Sequence, residues 1–462
     1  MLTRLEVDGF KNLVGFAASF GPFTCIAGEN GVGKSNIFDA VEFLSLIADR
    51  SLLEAAQEVR STREDSVGEP AHLFTTGGKT NPRMRLAAEM IVPQSVVDDF
   101  GSPVKPSTTF LRYEVQISYE ASVATARQGR LVVESERLHH ITRGDASRHL
   151  CFPHAKVFRE AVVTGQRRGG PFISTDEADG RLMVHQDGGS RGRPKRALPT
   201  KATTTVVSTV NSADDKTVLA TRREMQSWRR LALEPTALRG ADRYVDPKLM
   251  ASDGRHLAAA LHRIAQDWPD EDVYARVANR LSGLAGLDIR SLRVDADETR
   301  QLLNIVVVDG QGLELPARSL SEGTLRYLAL CVLLEDPEIT GLVMMEEPEN
   351  GIHPANLTEM VELVRDLGVD GQSAPGDDNP FRQVIVNTHS PGVVQLVGES
   401  DLLVAREQLS RFEGRLVKSL RADGILGTWR STTPEGATAT KADLLPYLAF
   451  PSNAQMLLFD AS

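Results

Sequence analysis

The sequence has few cysteines, no long hydrophobic run and no excess of positive charge. Its 462 residues contain three cysteines, Cys25, Cys151 and Cys331, whose wide spacing excludes a disulfide framework and the usual zinc motifs. No apolar run approaches the roughly 18–20 residues that are needed to span a bilayer. Charged residues interrupt the apolar stretch at the N-terminus, so we expect no signal peptide. These features predict a cytoplasmic protein that does not enter a membrane.

The net charge is negative, which argues against a surface that is basic throughout. The chain has 52 Lys and Arg against 62 Asp and Glu, a net charge of −10, so nucleic acid would have to bind a local patch. One basic run contains Arg191, Arg193, Lys195 and Arg196. Three interpretations stay open for it: a hook that enters the minor groove of A·T tracts, contact with the phosphate backbone of DNA or RNA, and a solvated loop.

The most informative motif is a glycine-rich loop between a predicted strand and a predicted helix. Residues 28–35 read GENGVGKS and match the phosphate-binding pattern G-x-x-x-x-G-K-[ST] at every fixed position. An apolar run, 23–27, precedes the loop, and residues 36–44 follow with helical spacing of apolar side chains. The pattern predicts that this segment binds a nucleoside triphosphate through Gly28, Glu29, Asn30, Gly31, Val32, Gly33, Lys34, Ser35 and Asn36. Lys34 would reach the β- and γ-phosphates, and Ser35 would supply a hydroxyl ligand to Mg²⁺.

A second motif lies about 300 residues downstream, where an apolar run ends in two carboxylates. Residues 342–348 read LVMMEEP, the arrangement of a Walker B strand. At such a position Glu346 would hold Mg²⁺, usually through water. Glu347 would orient or deprotonate the attacking water as a general base. The alternative is a solvated acidic turn.

Two further polar positions fall beside this strand in the sequence. Ser321 and Gly323 begin an apolar run through Leu334, so they predict a helix start whose hydroxyl and N–H groups can meet a phosphate. An ordinary helix cap is the alternative. His389 follows the β-rich run 384–388 and would sense the γ-phosphate and the nucleophilic water; a loop histidine without function is the alternative. Together the motifs give Glu347, His389 and Lys34 as candidate catalytic residues.

The four motifs in this order resemble those of ATP-binding-cassette-type ATPase heads. In particular they are similar to stand-alone bacterial AAA-family ATPases related to the overcoming-lysogenisation-defect and RecF proteins, themselves similar to heads of structural-maintenance-of-chromosomes (SMC) proteins. The opening residues 2–13 and the segment MEEPENGIHP, 345–354, carry the resemblance further. Two positions depart from it. Glu346 stands where Asp is usual, and the glutamine that normally follows the first helix is not evident, with Gln57 as its candidate.

The resemblance implies an α/β fold, a P-loop NTPase with a mixed sheet, that uses ATP and Mg²⁺ and hydrolyses ATP to ADP and phosphate. It also implies a homodimer in which two heads enclose two ATP molecules. Ser321 and Gly323 of one subunit would then complete the site formed by Gly28 to Ser35 of the other. Relatives act in DNA maintenance or antiviral defence, so a switch that works with nucleic acid is the leading interpretation. A transporter's cytoplasmic ATPase and a scaffold without turnover are the alternatives.

The chain is predicted to be one head divided by an insertion. Residues 1–95 and 300–462 carry the motifs, whereas 96–299 form an inserted α+β lid region with alternating strands and helical patterns. The C-terminal part lacks a further acidic cluster that would indicate a fused nuclease. We therefore expect a separately encoded effector protein, such as a nuclease, to perform any reaction on nucleic acid.

Overall fold

The computed structural model describes residues 1–59, 70–75, 81–121, 129–165, 169–176, 178–185, 187, 196–198, 202–211, 213–269, 272–283 and 288–444. The strands of these residues, in chain order, are β1 Leu2–Asp8, β2 Phe16–Ser19, β3 Phe23–Ala27, β4 Arg83–Ile91, β5 Val96–Val97, β6 Pro103–Val104, β7 Phe110–Glu120, β8 Arg130–His140, β9 Ile173–Thr175, β10 Leu182–Val184, β11 Arg196–Leu198, β12 Arg229–Leu231, β13 Asp242–Arg243, β14 Ile289–Asp297, β15 Leu302–Asp309, β16 Glu314–Pro316, β17 Gly341–Glu346, β18 Arg382–Thr388, β19 Leu402–Phe412, β20 Arg415–Ile425 and β21 Ala437–Ala439.

The α-helices of the described residues include six of ten residues or more. In chain order they are α1 Lys34–Ile47, α2 Leu52–Glu58, α3 Ala146–His149, α4 Lys156–Val162, α5 Lys216–Gln226, α6 Pro235–Leu238, α7 Leu257–Asp267, α8 Val273–Ser282, α9 Glu322–Glu335, α10 Leu357–Asp366 and α11 Pro391–Leu396. None of these helices is long and apolar enough to cross a membrane.

A seven-stranded sheet carries the sequence motifs. Its order is β12-β17-β18-β3-β19-β20-β21, and the five strands from β12 to β19 are parallel. Strands β3 and β17 are apolar along almost their whole length, β18 has an apolar centre at 384–386, and all three are buried except at Glu346. Continuous apolar runs of this kind are typical of parallel strands that are covered on both faces.

The two faces of this sheet pack against different layers. Alternate residues Leu342 and Met344 of β17 join a core formed with α1 and an eight-stranded antiparallel sheet, β11-β10-β9-β8-β7-β4-β1-β2. Val343 and Met345 point to the other face and join a core formed with α7, α8, α9, α10 and α11. Helix α1 is therefore enclosed between the two large sheets, which fixes the loop that precedes it.

The fold confirms the predicted α/β class with a mixed sheet. The predicted strands at 23–27, at the apolar run before the two carboxylates and at 384–388 are all present, as are the helices after the glycine-rich loop and after Ser321. The division into a head and an insertion stays a prediction. One strand of the region 96–299, β12, pairs with β17 in the sheet that carries the motifs.

Candidate functional site

The candidate site lies where three central parallel strands of the seven-stranded sheet reach their C-terminal ends. This line of strand ends is the edge referred to below. In the register of β17, β18 and β3, Glu346 pairs with Asn387, and Thr388 pairs with Ala27. The residues that follow these three strands therefore emerge side by side. The glycine-rich loop, the two carboxylates and His389 are thus brought together, although more than 300 residues separate the loop from the other two motifs in the chain.

The glycine-rich loop connects β3 to α1 in a conformation that needs its glycines. Gly31 and Gly33 have φ values of 83° and 99°, in the left-handed region. A Cβ on Gly33 would also overlap the side chain of Asn12. Asn12 holds the loop from outside, since its Nδ2 donates to the carbonyl oxygen of Val32 at 2.9 Å and its Oδ1 accepts from Asn36 at 2.7 Å. Residues 29–31 are exposed, so the loop opens outward at the strand edge.

Lys34 begins α1 and bends back across the loop. Its ammonium group donates to the carbonyl oxygens of Gly28 at 2.7 Å and Glu29 at 2.9 Å. Burial lowers the pKa of Lys34, and the carboxylates of Glu347, Glu346 and Glu349 oppose this effect. The lysine is therefore a cation held inside the loop and facing a group of acids, the position that a phosphate-binding lysine requires.

Glu347 follows β17 with an unusual backbone conformation. Its φ is 45°, which for a residue other than glycine costs of order 1–3 kcal/mol and persists only where the surroundings fix it. Its N–H donates to the backbone oxygen of Asn387 at 3.0 Å, and its Oε2 accepts from Asn350 at 2.8 Å. The turn thus directs this carboxylate to the same edge as the loop.

His389 contacts the other oxygen of that carboxylate. Its Nδ1 lies 2.6 Å from Oε1 of Glu347, and both side chains are partly exposed. The hydroxyl of the preceding residue, Thr388, donates to Glu349, whose pKa is raised by burial. One oxygen of Glu349 is buried without a hydrogen-bond partner. The edge therefore has an acid–imidazole pair at the surface and a second acid beneath it.

A set of charged residues that the motifs do not include surrounds Glu346. Arg230 of β12 donates to Glu346 at 2.6 Å, to Asp39 at 3.0 Å and to Glu42 at 3.2 Å. Lys11 donates to the other oxygen of Asp39 at 2.6 Å. Sequence reasoning missed Arg230, Asp39 and Glu42. The sequence held a signal only for Asp39 and Glu42. These two acids lie three residues apart in a predicted helix and therefore share one face of it.

Ser321 and Gly323 lie at the start of α9, as predicted. The hydroxyl of Ser321 caps the helix by accepting from the N–H of Thr324 at 3.2 Å. Gly323 packs against the backbone of Gly351, where a Cβ would overlap the carbonyl oxygen. Contacts within the same chain therefore explain why a serine and a glycine occupy these positions. Their action on a partner's nucleotide stays a prediction.

The residues at this edge fit a nucleotide with Mg²⁺. Gly31 and Gly33 leave an open loop at the N-terminus of α1, where backbone N–H groups attract phosphate. Lys34 adds a positive charge, while Ser35 and Glu346 offer oxygen ligands of the kind that Mg²⁺ prefers. Both the donor set for a polyphosphate and that for a hard cation are thus present.

Two predicted groups are not placed at this edge. Gln57 lies in α2, which follows α1 and contacts β8 rather than the end of β17. The basic residues Arg191, Arg193 and Lys195 lie outside the described residues, and Arg196 begins β11 without a described side chain. Their role stays a prediction.

One other group of possible metal ligands occurs among the described residues. Asp242, Asp246 and His256 bring their ligand atoms within 4.8 Å of one another. Asp242 accepts from the N–H of Ala259 at 2.9 Å, and Asp246 accepts from the N–H of Arg243 at 2.7 Å. The two carboxylates thus serve the start of α7 and a turn, which explains their placement without a metal.

Comparison with solved structures finds heads of SMC proteins. One is an SMC head bound to the C-terminal winged-helix domain of ScpA, with 14% identity, coverage of 92% of this chain and 98% of that one, and a TM-score of 0.42. A head from Pyrococcus furiosus, bound to the C-terminal domain of ScpA, has 11% identity, coverage of 92% and 96%, and a TM-score of 0.40. A head from Thermotoga maritima has 13% identity, coverage of 91% of this chain and 97% of that one, and a TM-score of 0.34. These TM-scores are all below 0.5, so the likeness is distant.

A comparison with curated proteins gives no match. A family model described as "AAA domain, putative AbiEii toxin, Type IV TA system" matches residues 23–165 and 187–395, well over half of the chain. The matched ranges include the glycine-rich loop, the carboxylate pair and His389. The predicted resemblance to AAA-family ATPases is thereby confirmed, and the chain belongs to this AAA-domain family.

Proposed function

We propose that the chain binds ATP with Mg²⁺ at the edge of the parallel sheet and hydrolyses it to ADP and phosphate. The observation that carries the proposal is the carboxylate of Glu347, which a constrained backbone holds 2.6 Å from His389. A site that only binds nucleotide has no need of a carboxylate fixed in this way. The scaffold without turnover is therefore the weaker alternative.

Each residue of the edge has a distinct part in this proposal. The loop and Lys34 bind and orient the phosphates, and Ser35 with Glu346 would hold Mg²⁺, which stabilises negative charge on the transferred group. Glu347 orients the attacking water and accepts its proton. His389 holds the Glu347 carboxylate in place through its Nδ1.

Phosphate release should be slow and should depend on Mg²⁺. We expect the purified chain to release phosphate from ATP in the presence of Mg²⁺, and to lose this activity when EDTA removes the metal. The reason is that the acids of the edge, Glu346, Glu347 and Glu349, would repel an uncompensated triphosphate. Activity that is unchanged in EDTA would contradict the metal part of the proposal.

We also propose that the active form is a homodimer with two composite sites. Ser321 caps α9 with its hydroxyl at the surface of the helix start, and α9 presents its free N–H groups there. Such a helix start can bind a phosphate carried by another subunit. The order of the motifs supports this arrangement.

The biological role proposed for the ATPase is a switch that controls a separate effector. The family description names a toxin and a toxin–antitoxin system, which is in keeping with a role in antiviral defence or DNA maintenance. The further group of possible metal ligands among the described residues, Asp242, Asp246 and His256, holds the start of α7 and a turn. A nuclease encoded separately, and membership of the overcoming-lysogenisation-defect group, remain part of this proposal.

Replacement of Arg191, Arg193, Lys195 and Arg196 by Ala should weaken binding to DNA or RNA and flatten its dependence on salt. Each lysine or arginine that contacts a phosphate adds about 0.7–0.9 to the slope of log K against log [salt]. Fluorescence anisotropy with labelled oligonucleotides at several salt concentrations measures both quantities. A matched control replaces Arg143, Arg148, Arg181 and Arg300, exposed arginines elsewhere on the chain. Equal affinity and equal slope in the two variants would show that the basic run is not the contact.

A further inference from the structure

Three carboxylates from two elements share one guanidinium group beside the candidate metal position. Asp39 and Glu42 come from α1, and Glu346 ends β17. Arg230 reaches all three, with distances of 3.0, 3.2 and 2.6 Å respectively. The shortest contact is the one to Glu346. The acid that would hold Mg²⁺ is therefore already paired with a protein cation.

The cation is held firmly in its charged state. Asp39 is fully buried and Arg230 is mostly buried. Burial would lower the pKa of Arg230, but the carboxylates of Glu346, Glu42 and Asp39 raise it above its usual value. A guanidinium has several N–H donors in a fixed plane, so it can serve acids from α1 and from β17 at once.

The strand that carries Arg230 pairs with the strand that ends in Glu346, and the chain that follows it reaches α9. Within the described residues, β12 is the outermost strand of its sheet and pairs only with β17, with Arg230 opposite Met344. Four residues after β12, the chain enters α6, which packs against α9. The chain segment that follows Arg230 thus leads to the helix that Ser321 caps.

We propose that Arg230 is a positioning residue that balances Glu346 in the nucleotide-free head and releases it when Mg²⁺ arrives with nucleotide. This inference rests on the proposed metal role of Glu346. A divalent cation and a guanidinium compete for the same carboxylate, because each is stabilised by its negative charge. On release, Arg230 keeps Asp39 and Glu42 as partners, so its charge stays compensated on α1.

The proposal predicts that removal of Arg230 strengthens the response to Mg²⁺. With Arg230→Gln, Glu346 loses this competing cation, so the free Mg²⁺ concentration at half-maximal binding of a fluorescent ATP analogue should fall about tenfold, since an acid left without its hydrogen-bonded partner attracts the metal more strongly. Arg230→Lys keeps the charge but not the planar set of donors, so its Mg²⁺ midpoint should lie between those of the wild type and Arg230→Gln. A purely structural role would lower thermal stability in Arg230→Gln without shifting the Mg²⁺ midpoint in this direction.

Two further variants separate the possible outcomes. Arg229→Gln is the matched control, because Arg229 is the adjacent residue of β12, points to the opposite face and interacts with Asp336 instead. Glu346→Gln tests the proposed function itself and should raise the Mg²⁺ requirement. If Glu346→Gln raises that requirement while Arg230→Gln leaves the midpoint unchanged or raises it, the inference about Arg230 is wrong and the proposed function stands. If Glu346→Gln has no effect, the metal role of Glu346 fails.

Discussion

Glu347→Gln should keep nucleotide binding and lose turnover by about 100- to 10,000-fold, the range that a general base contributes. Gln has the size of Glu and can still accept from Asn350 and contact His389, so the turn after β17 should be preserved. It lacks the negative charge that accepts a proton from water. Phosphate release and binding of a fluorescent ATP analogue, measured on the same sample, separate the two effects.

A matched variant shows whether the loss belongs to this position. Glu362 is exposed on α10, away from the edge of the sheet, so Glu362→Gln removes one carboxylate and should leave turnover at the wild-type rate. Turnover at the wild-type rate in Glu347→Gln would remove Glu347 from the role of base. Loss of binding in that variant would instead indicate a role in holding the nucleotide.

Lys34→Ala and Ser321→Arg should each abolish activity alone and restore part of it when mixed. Lys34→Ala removes the cation from the loop, and Ser321→Arg blocks the start of α9 with a long side chain. In a two-fold dimer, a mixed pair has one intact site, formed by the loop of the Ser321→Arg subunit and the helix start of the Lys34→Ala subunit. With random pairing, about one quarter of the wild-type sites should be active.

The outcome of the mixing experiment distinguishes a composite site from a site within one chain. If each chain forms its own site, the mixture should remain as inactive as its components. Size-exclusion chromatography with ATP and Mg²⁺ and with Glu347→Gln, which should retain nucleotide, then tests whether nucleotide drives association. Hydrolysis at full rate by a strictly monomeric sample would contradict the dimer proposal.

The motifs of the edge could be predicted from the sequence because each is local. The loop 28–35 lies between a strand and a helix whose apolar patterns are both visible. The carboxylates at 346 and 347 follow an apolar run that is long enough to identify as a strand. Because parallel strands end at one edge of a sheet, their mutual proximity also follows once the fold is assumed.

Arg230 could not be predicted, because its partners are distant in the chain. Asp39 and Glu346 lie 191 and 116 residues away from it. The strand that carries it has three residues, two of them arginines, so it shows neither an apolar run nor a clear alternation. The same limit applies to Asn12, whose contact with the loop depends on the position of the turn after β1. Gln57 was a candidate only because it follows the first helix in the sequence. It lies in α2, which packs through its buried residues Leu52, Ala55 and Ala56.

The close packing of Gly323 on Gly351 has a thermodynamic consequence. Asn350, the neighbour of Gly351, donates to Glu347, so the start of α9 and the proposed base are separated by one short turn of backbone. Any group that binds at the start of α9 and displaces this turn changes the free energy of the arrangement around Glu347. In the proposed dimer, linkage requires the reverse as well: occupation of a subunit's own loop would alter, by the same coupling free energy, how tightly its α9 binds a second subunit. Association and nucleotide affinity in this protein should therefore vary together, and a measurement of either one reports on the other.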